Sequence, residues 1–142
     1  HKPDRRQRQM CIRDRVFAGD HIMNGSTVVI VPPGGNMKAY IESLQRLLNY
    51  DVTAIAPGHG EVIPGCRDEV EKLVRHRLMR EAKVVANLER GGPVSIETLV
   101  VSVYDDVPEA MHRWAQLSLL AHLLKLEVEG RAEQINGQWA MC

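Results

Sequence analysis

Two side chains that can bind metal ions each follow a short apolar segment of the sequence. Asp20 comes directly after "VFAG", and His59 comes after "VTAIA" within Pro57-Gly58-His59-Gly60. Both segments predict short buried strands, and ligands gather at strand ends in layered α/β folds. Carboxylates and imidazoles are preferred ligands of Zn²⁺ and other first-row cations, and one carboxylate can bridge two cations. The pattern therefore indicates a metal site at Asp20 and His59.

Each of these residues also has an ordinary structural explanation. A Gly-Asp pair after a strand commonly forms a turn, and a lone histidine between glycines is commonly a loop residue. The metal interpretation is favoured because both residues occur in the same strand-end context, and because Gly58 and Gly60 leave little bulk around the imidazole. We interpret His21, beside Asp20, as a residue that supports a ligand or borders the substrate, rather than as a ligand.

Composition and charge indicate a globular protein without a bulk attraction for nucleic acid. The 142 residues are 44% hydrophobic and 25% charged, with a formal net charge of zero, which suits one ordinary domain or two small ones. Residues 1–15 carry six basic and two acidic groups, so the remainder is net acidic. Three separated cysteines without a CxxC motif argue against a disulfide scaffold. With no apolar segment near the roughly 20 residues of a membrane span, we expect a soluble cytoplasmic protein.

The elements that must position the two candidate ligands alternate between strands and helices. Short β-branched or apolar segments predict strands over residues 16–19, 26–31 and 52–56. Apolar residues at helical spacing follow Asn36, a candidate N-cap, and a long helix is predicted over residues 68–90. This order is typical of an α/β layered fold.

The pattern changes after Pro93 to that of a winged helix. Residues 95–104 begin with a possible Ser95 cap, residues 108–127 form a second predicted helix, and Asn136-Gly137 is a strong hairpin signal. We expect Trp139 to cover the core of this domain or to flank a substrate cleft. A shared helical face predicts five core residues in the second helix, which are Trp114, Leu117, Leu120, Ala121 and Leu124.

Several segments, in order, resemble one family. "FAGDHI", "PPGGNMKAYIESLQRL", "IAPGHGEVI" and "HRLMRE" look like the metallo-β-lactamase-fold hydrolases, in particular the lactamase-β-2-like branch with its C-terminal winged-helix domain. The resemblance covers residues 16–142. It implies an α/β (α+β) fold class: the C-terminal half of an αββα sandwich over residues 16–90, and a small winged-helix domain over residues 91–142. Residues 1–15 are expected to be an irregular basic leader that is divergent or not native.

The resemblance also implies ligand roles. The family's counterpart of Asp20 bridges two zinc ions, and the counterpart of His59 binds the second ion. The family's His-x-Pro motif falls on His1-Lys2-Pro3, which makes His1 a further candidate ligand. The HxHxDH motif that supplies most of the family's ligands does not occur here, so the upstream half of the domain is expected to precede residue 1.

By resemblance, the chain is expected to be part of a zinc-dependent hydrolase and inactive by itself. Metal-activated water would attack a single-stranded RNA phosphodiester or a small-molecule thioester, ester or lactone, and the residues do not choose between them. No catalytic residue besides the candidate ligands is identified, and no oligomeric state is predicted. The alternative function is a winged-helix module that binds nucleic acid or protein, which would require exposed basic side chains on helix 108–125.

Overall fold

The computed structural model describes residues 10–12 and 14–142, with side chains from residue 14 onward. The candidate ligand His1 lies outside the described residues. The chain divides into two compact units, of which the first comprises the chain up to Val28 and Ile41–Arg75, and the second comprises Val29–Tyr40 and His76–Cys142. Within the described part, no helix is both long and apolar enough to cross a membrane.

A four-stranded sheet with the order β1-β2-β3-β4 forms the centre of the first unit. β1 (Met10–Ile12) pairs antiparallel with β2 (Arg15–Gly19), and β2 pairs parallel with β3 (Ala54–Pro57). β4 (Ile63–Pro64) pairs antiparallel with β3. Because β2 and β3 run parallel, their carboxyl ends lie at the same edge of the sheet, where Asp20 and the Gly58-His59 turn follow.

One face of this sheet carries the buried side chains. Val16 and Ala18 of β2 are fully buried, as is Ile55 of β3, whereas Arg15 and Phe17 alternate with them and are exposed. This is the two-residue period of a strand with one face against a core. It confirms the strands predicted at residues 16–19 and 52–56, although β3 begins two residues later and ends one residue later than predicted.

One prediction for this part of the chain is wrong. Residues 26–31 form no strand, since β-branched residues favour a strand only where a neighbouring edge offers hydrogen bonds. Within the predicted leader, Met10–Ile12 pairs with β2 as β1. Among the described strands, β1 lies at the edge of the sheet, where backbone pairing with β2 does not require an alternating apolar pattern.

Both helices predicted before Gly92 are confirmed. α1 (Met37–Leu47) begins after Asn36, whose Oδ1 accepts a hydrogen bond from the Ala39 backbone N–H at 2.9 Å. α2 (Cys66–Gly91) has two acidic residues in its first turn and Arg90 in its last, which complements the helix dipole.

The second unit contains the two further helices and the hairpin. α3 (Ile96–Val103) is capped by Ser95, whose hydroxyl accepts a hydrogen bond from the Thr98 N–H at 3.2 Å. After a 3₁₀ turn, α4 (His112–Val128) leads to β5 (Ala132–Ile135) and β6 (Gln138–Met141). Asn136 and Gly137, with φ of 51° and 77°, form the tight turn between these strands, so the predicted hairpin is confirmed.

The core of the second unit confirms one tryptophan prediction and corrects the other. Trp139 is 2% exposed and belongs to the core, whereas Trp114 is 49% exposed. Of the five residues predicted as the core face of α4, Ala121 is buried, and Leu120 and Leu124 are partly buried and pack against the core. The helix is apolar on most sides, so periodicity alone does not select its buried face. The buried residues of α4 are Ser118, Leu119, Ala121, His122, Leu123 and Leu126.

Arg80 fastens α2 to the segment that follows α3. Its Nη1 donates to the Val103 carbonyl at 2.7 Å, and its two terminal nitrogens donate to Oδ1 and Oδ2 of Asp106 at 2.6 and 3.0 Å. The guanidinium also lies 4.2 Å from the ring centroid of Tyr104. The hydrogen bonds from Arg80 lower the pKa of Asp106 to about 2.

A second charged group is buried on α2. Glu81 contacts Lys125 Nζ at 3.0 and 2.8 Å and Arg131 Nη1 at 3.6 Å. Burial acts to raise the pKa of the Glu81 carboxyl, but His122 and Lys125 outweigh it and leave the pKa below its usual value. His122 itself is completely buried, and its Nδ1 lies 3.8 Å from Glu81 Oε2, beyond hydrogen-bond distance. Neither ring nitrogen of His122 has a hydrogen-bond partner among the described residues.

Asp106→Ala should lower the free energy of unfolding by about 1 kcal/mol at pH 7, a value kept small because the carboxylate is mostly exposed. The carboxyl pKa is lower in the folded state, so this stabilisation is present above pH 3.8 and is lost as the pH falls toward 2. Urea unfolding across this pH range measures the effect. Asp105→Ala is the matched control and should cost less, since its partner Lys83 is itself exposed. Equal losses for the two variants would contradict the role given to Arg80.

His122→Leu should make the stability less sensitive to acid. Burial lowers the pKa of His122, with partial opposition from the Glu81 carboxylate, so the unfolded chain takes up a proton near pH 6.5 that the folded chain does not. The wild-type protein should lose about 1 kcal/mol more than the variant between pH 6.5 and 5.5. Urea unfolding at these two pH values checks this expectation, and parallel pH profiles would refute it.

Candidate metal centre

The structure brings the two candidate ligands of the first unit together. His59 Nε2 lies 3.5 Å from Asp20 Oδ1, and the side chains are 81% and 64% exposed. A contact this exposed contributes little to stability. Two ligands at about 2.0–2.1 Å from a tetrahedral zinc ion stand roughly 3.3 Å apart, close to the observed spacing.

Glycine makes this approach possible. The Gly58 N–H donates to the Gly19 carbonyl at 2.6 Å, and a Cβ atom on Gly58 would lie 3.0 Å from Asp20 Oδ1 and 3.0 Å from the Gly19 carbonyl carbon. Gly60, on the other side of His59, has a φ of 90°, which side chains disfavour. The need for glycine in this turn, predicted from the sequence, is confirmed at Gly60 by its backbone conformation and at Gly58 by the close contact.

One ring nitrogen of His21 is occupied by a contact with a neighbouring side chain. Its Nε2 lies 2.7 Å from the Ser43 hydroxyl oxygen, within hydrogen-bond distance. Burial lowers the pKa of His21 to about 4, so the imidazole is neutral at physiological pH. This arrangement suits a residue that supports its neighbour Asp20, and the supporting role given to His21 stays a prediction.

Ser43 and Asn24 are two residues near this site that sequence reasoning missed. Asn24 Nδ2 donates a long hydrogen bond of 3.4 Å to the Glu61 carbonyl, which links the loop after β2 to the loop after β3. Ser43 lies within α1, where its helical context gave no sign of a polar partner. Its contact with His21 spans 22 positions and is invisible to local patterns.

The donor set fits part of a zinc site. A carboxylate and an imidazole are suitable ligands, but zinc usually takes four ligands, with three from the protein in catalytic sites. No group of three or more histidine, cysteine, aspartate or glutamate side chains that could hold a metal ion occurs in residues 14–142. The histidines on α2 and α4 do not complete the zinc site. His112 Nε2, for example, lies within hydrogen-bond distance, 3.1 Å, of both the Tyr104 and the Val107 carbonyl.

Helix 108–125 lacks the stripe of exposed basic side chains that nucleic-acid binding would require. Of the two basic residues in helix 108–125, Arg113 is exposed and lies over the Trp114 ring, at 5.2 Å from its centroid. Lys125 is nearly buried and pairs with Glu81 and Glu129. The observation therefore disfavours phosphate binding as the main role of this helix.

Comparison with known proteins identifies relatives across most of the chain. Residues 95–139 match the family described as "Beta-lactamase associated winged helix domain". The "Beta-lactamase-like protein 2 homolog" of Caenorhabditis elegans is 30% identical over 118 residues, which cover 83% of this chain. The protein of the same name from Drosophila melanogaster is also 30% identical over 118 residues, or 82% of this chain. The chain spans only 39% of the length of either relative.

Two solved structures share the fold. A metallo-beta-lactamase family protein from Thermus thermophilus superimposes with a TM-score of 0.75 at 22% identity, over 91% of this chain and 42% of that one. A beta-lactamase domain protein from Burkholderia ambifaria gives a TM-score of 0.74 at 22% identity, over 90% of this chain and 41% of that one. At this level of identity the likeness concerns the fold.

Gly58→Ala should separate Asp20 from His59 and lower the free energy of unfolding by about 1–3 kcal/mol, because the added methyl group meets backbone atoms that cannot yield easily. Gly91→Ala is the control, since nothing lies within 4 Å of the Cβ position there. Urea unfolding reports the stability, and the imidazole NMR signals of His59 report its surroundings. Unchanged stability and unchanged His59 signals in Gly58→Ala would contradict this description of the turn.

Proposed function

The chain carries the C-terminal part of a metallo-β-lactamase fold followed by a β-lactamase-associated winged-helix domain, and on this premise we propose that it contributes two ligands to the metal centre of a hydrolase. The resemblance and the fold class predicted from the sequence are thereby confirmed. The observation that carries the proposal is the 3.5 Å approach of Asp20 Oδ1 to His59 Nε2 at the common edge of β2 and β3.

Zinc is the proposed metal, with two ions in the complete site. When bound, zinc supplies a water whose pKa is lowered to about 7 and polarises the bond under attack. Asp20 presents two carboxylate oxygens and so suits the bridging position, while His59 offers one imidazole nitrogen. Gly58 leaves the space beside Asp20 Oδ1 free of a side chain, and Gly60 allows the backbone turn that follows His59.

Two donors do not complete a zinc site, and the remaining ligands are proposed to come from outside residues 14–142. His1 stays a candidate by its place in the sequence. The curated relatives are more than twice as long as the region they share with this chain, which leaves room for further ligands in proteins of this type. By itself the described chain is expected to bind zinc weakly and to turn over little substrate.

The proposed substrates are a single-stranded RNA phosphodiester or a small-molecule thioester or ester, since both are attacked by metal-activated water. We propose that the winged-helix domain affects substrate range rather than binding nucleic acid independently, because Lys125 is paired and Arg113 lies over Trp114. A cytoplasmic location remains part of this proposal.

Asp20→Asn and His59→Ala should each weaken zinc binding by the chain about tenfold or more, because each removes one of two ligands. Asp51→Asn, which alters an exposed carboxylate elsewhere in the first unit, is the matched control and should bind zinc as the wild type does. Competition with a chromophoric chelator measures the affinities. Zinc affinity that is equal in all four proteins would refute the proposed centre.

In a full-length form with all its ligands, Asp20→Ala and His59→Ala should abolish zinc-dependent hydrolysis while the fold persists, since both side chains are exposed. Cleavage of single-stranded RNA and of a generic thioester is measured with and without a chelator. Deletion of residues 94–142 should instead change the ratio of the two activities or the solubility. Full activity in Asp20→Ala would contradict the mechanism.

A further inference from the structure

The orientation of Asp20 must come from its backbone. Among the residues that the structure describes, His59 is the only one whose charged or polar side chain contacts the Asp20 carboxylate, at 3.5 Å. A metal ligand loses affinity when its position is loosely defined, because the site must be held within about 0.5 Å of its productive geometry. The elements that hold the backbone around Asp20 therefore determine how well the carboxylate can serve a cation.

Asp20 is the third residue of a closed turn. The His21 N–H donates to the Ala18 carbonyl at 3.1 Å, and Gly19 within the turn has a φ of 56°. On one side the turn is fixed by the hydrogen bond from the Gly58 N–H to the Gly19 carbonyl. On the other side it is followed by Ile22, which is fully buried.

The last residue of this turn is also held through its side chain. His21 is half-buried, and its Nε2 lies 2.7 Å from Ser43 Oγ in the part of α1 that belongs to the first unit. Ser43 thus links the turn that carries Asp20 to a helix 22 residues further along the chain. A hydrogen bond of this kind adds little to overall stability, but it restricts the torsions of the one residue adjacent to Asp20.

We propose that Ser43 is a positioning residue for the metal centre: its hydrogen bond to His21 fixes the turn that carries Asp20 and thereby raises the affinity of the site for zinc. This inference rests on the function proposed above. Ile22 and the Gly58–Gly19 hydrogen bond keep the loop in place without Ser43, so its removal should loosen the turn rather than unfold it. His21 takes part through Ser43 and does not itself bind the ion.

The test compares Ser43→Ala with Ser43→Thr, which retains the hydroxyl group, and with the control Ser26→Ala at an exposed serine of the same unit. Zinc affinity is measured by chelator competition on the described chain. Ser43→Ala should bind zinc about fivefold more weakly, whereas Ser43→Thr should recover most of the affinity and Ser26→Ala should match the wild type. If Ser43→Ala does not fold, Ser43→Cys replaces it, because the thiol is close in volume to the hydroxyl but is only a weak hydrogen-bond donor. Ser43→Cys should then bind zinc about fivefold more weakly than the wild type.

A second readout needs no metal. Backbone ¹⁵N relaxation of the zinc-free protein should show a lower order parameter for Asp20 in Ser43→Ala than in wild type or Ser43→Thr. Urea unfolding midpoints establish that the variants are folded.

Three outcomes overturn the inference. The first is wild-type zinc affinity in Ser43→Ala while Asp20→Asn is weakened, which would refute the positioning role alone. The second is equal weakening of Ser43→Ala and Ser43→Thr, which would show that the hydroxyl is not the cause. The third is unchanged affinity in Asp20→Asn itself, which would refute the proposed metal centre and with it this inference.

Discussion

The parallel pairing of β2 with β3 is the constraint on which the candidate site depends. Their register places Gly19 opposite Pro57, so the next residues of the two strands, Asp20 and Gly58, emerge side by side. An antiparallel arrangement would place the two strand ends at opposite edges of the sheet. The close approach then requires a residue without Cβ at position 58, because the carboxylate and the backbone of the neighbouring turn already occupy that space.

Charges are used differently in the two units. Asp20 and His59 are exposed at the sheet edge, where their mutual attraction is weak and both side chains are accessible to a cation. In the second unit, the Arg80 guanidinium and the Glu81 carboxylate are buried and are compensated by several partners. A buried charge left alone would be costly, so these contacts maintain the packing of α2 against its neighbours in that unit. A metal centre needs ligand side chains that are exposed and have few other partners. A helix interface needs buried charged side chains that are paired.

Features set by neighbouring residues in the chain were predictable from the sequence. Asn36 and Ser95 act as helix caps and Asn136-Gly137 forms a hairpin, because each depends on side-chain chemistry within about four residues. The placement of Asp20 and His59 at strand ends was likewise predictable, because turn-forming residues such as glycine and proline mark where a strand ends.

Features that depend on distant partners were not predictable. Residues 26–31 have the composition of a strand but form none, whereas Met10–Ile12, within a polar and basic segment, pairs with β2. The exposed position of Trp114 follows from the choice among several apolar faces of α4, which the packing of α3 and β5 decides. The contact between Ser43 and His21 joins two elements whose proximity arises only in the folded chain.

Crystals of this protein soaked in zinc, measured at energies on either side of the zinc absorption edge, test the central claim most directly. The account predicts an anomalous peak at about 2.0–2.2 Å from both an Asp20 carboxylate oxygen and a His59 ring nitrogen. A peak that lies only elsewhere, for example at the exposed Cys142, with the Asp20–His59 pair left empty at saturating zinc, would contradict it.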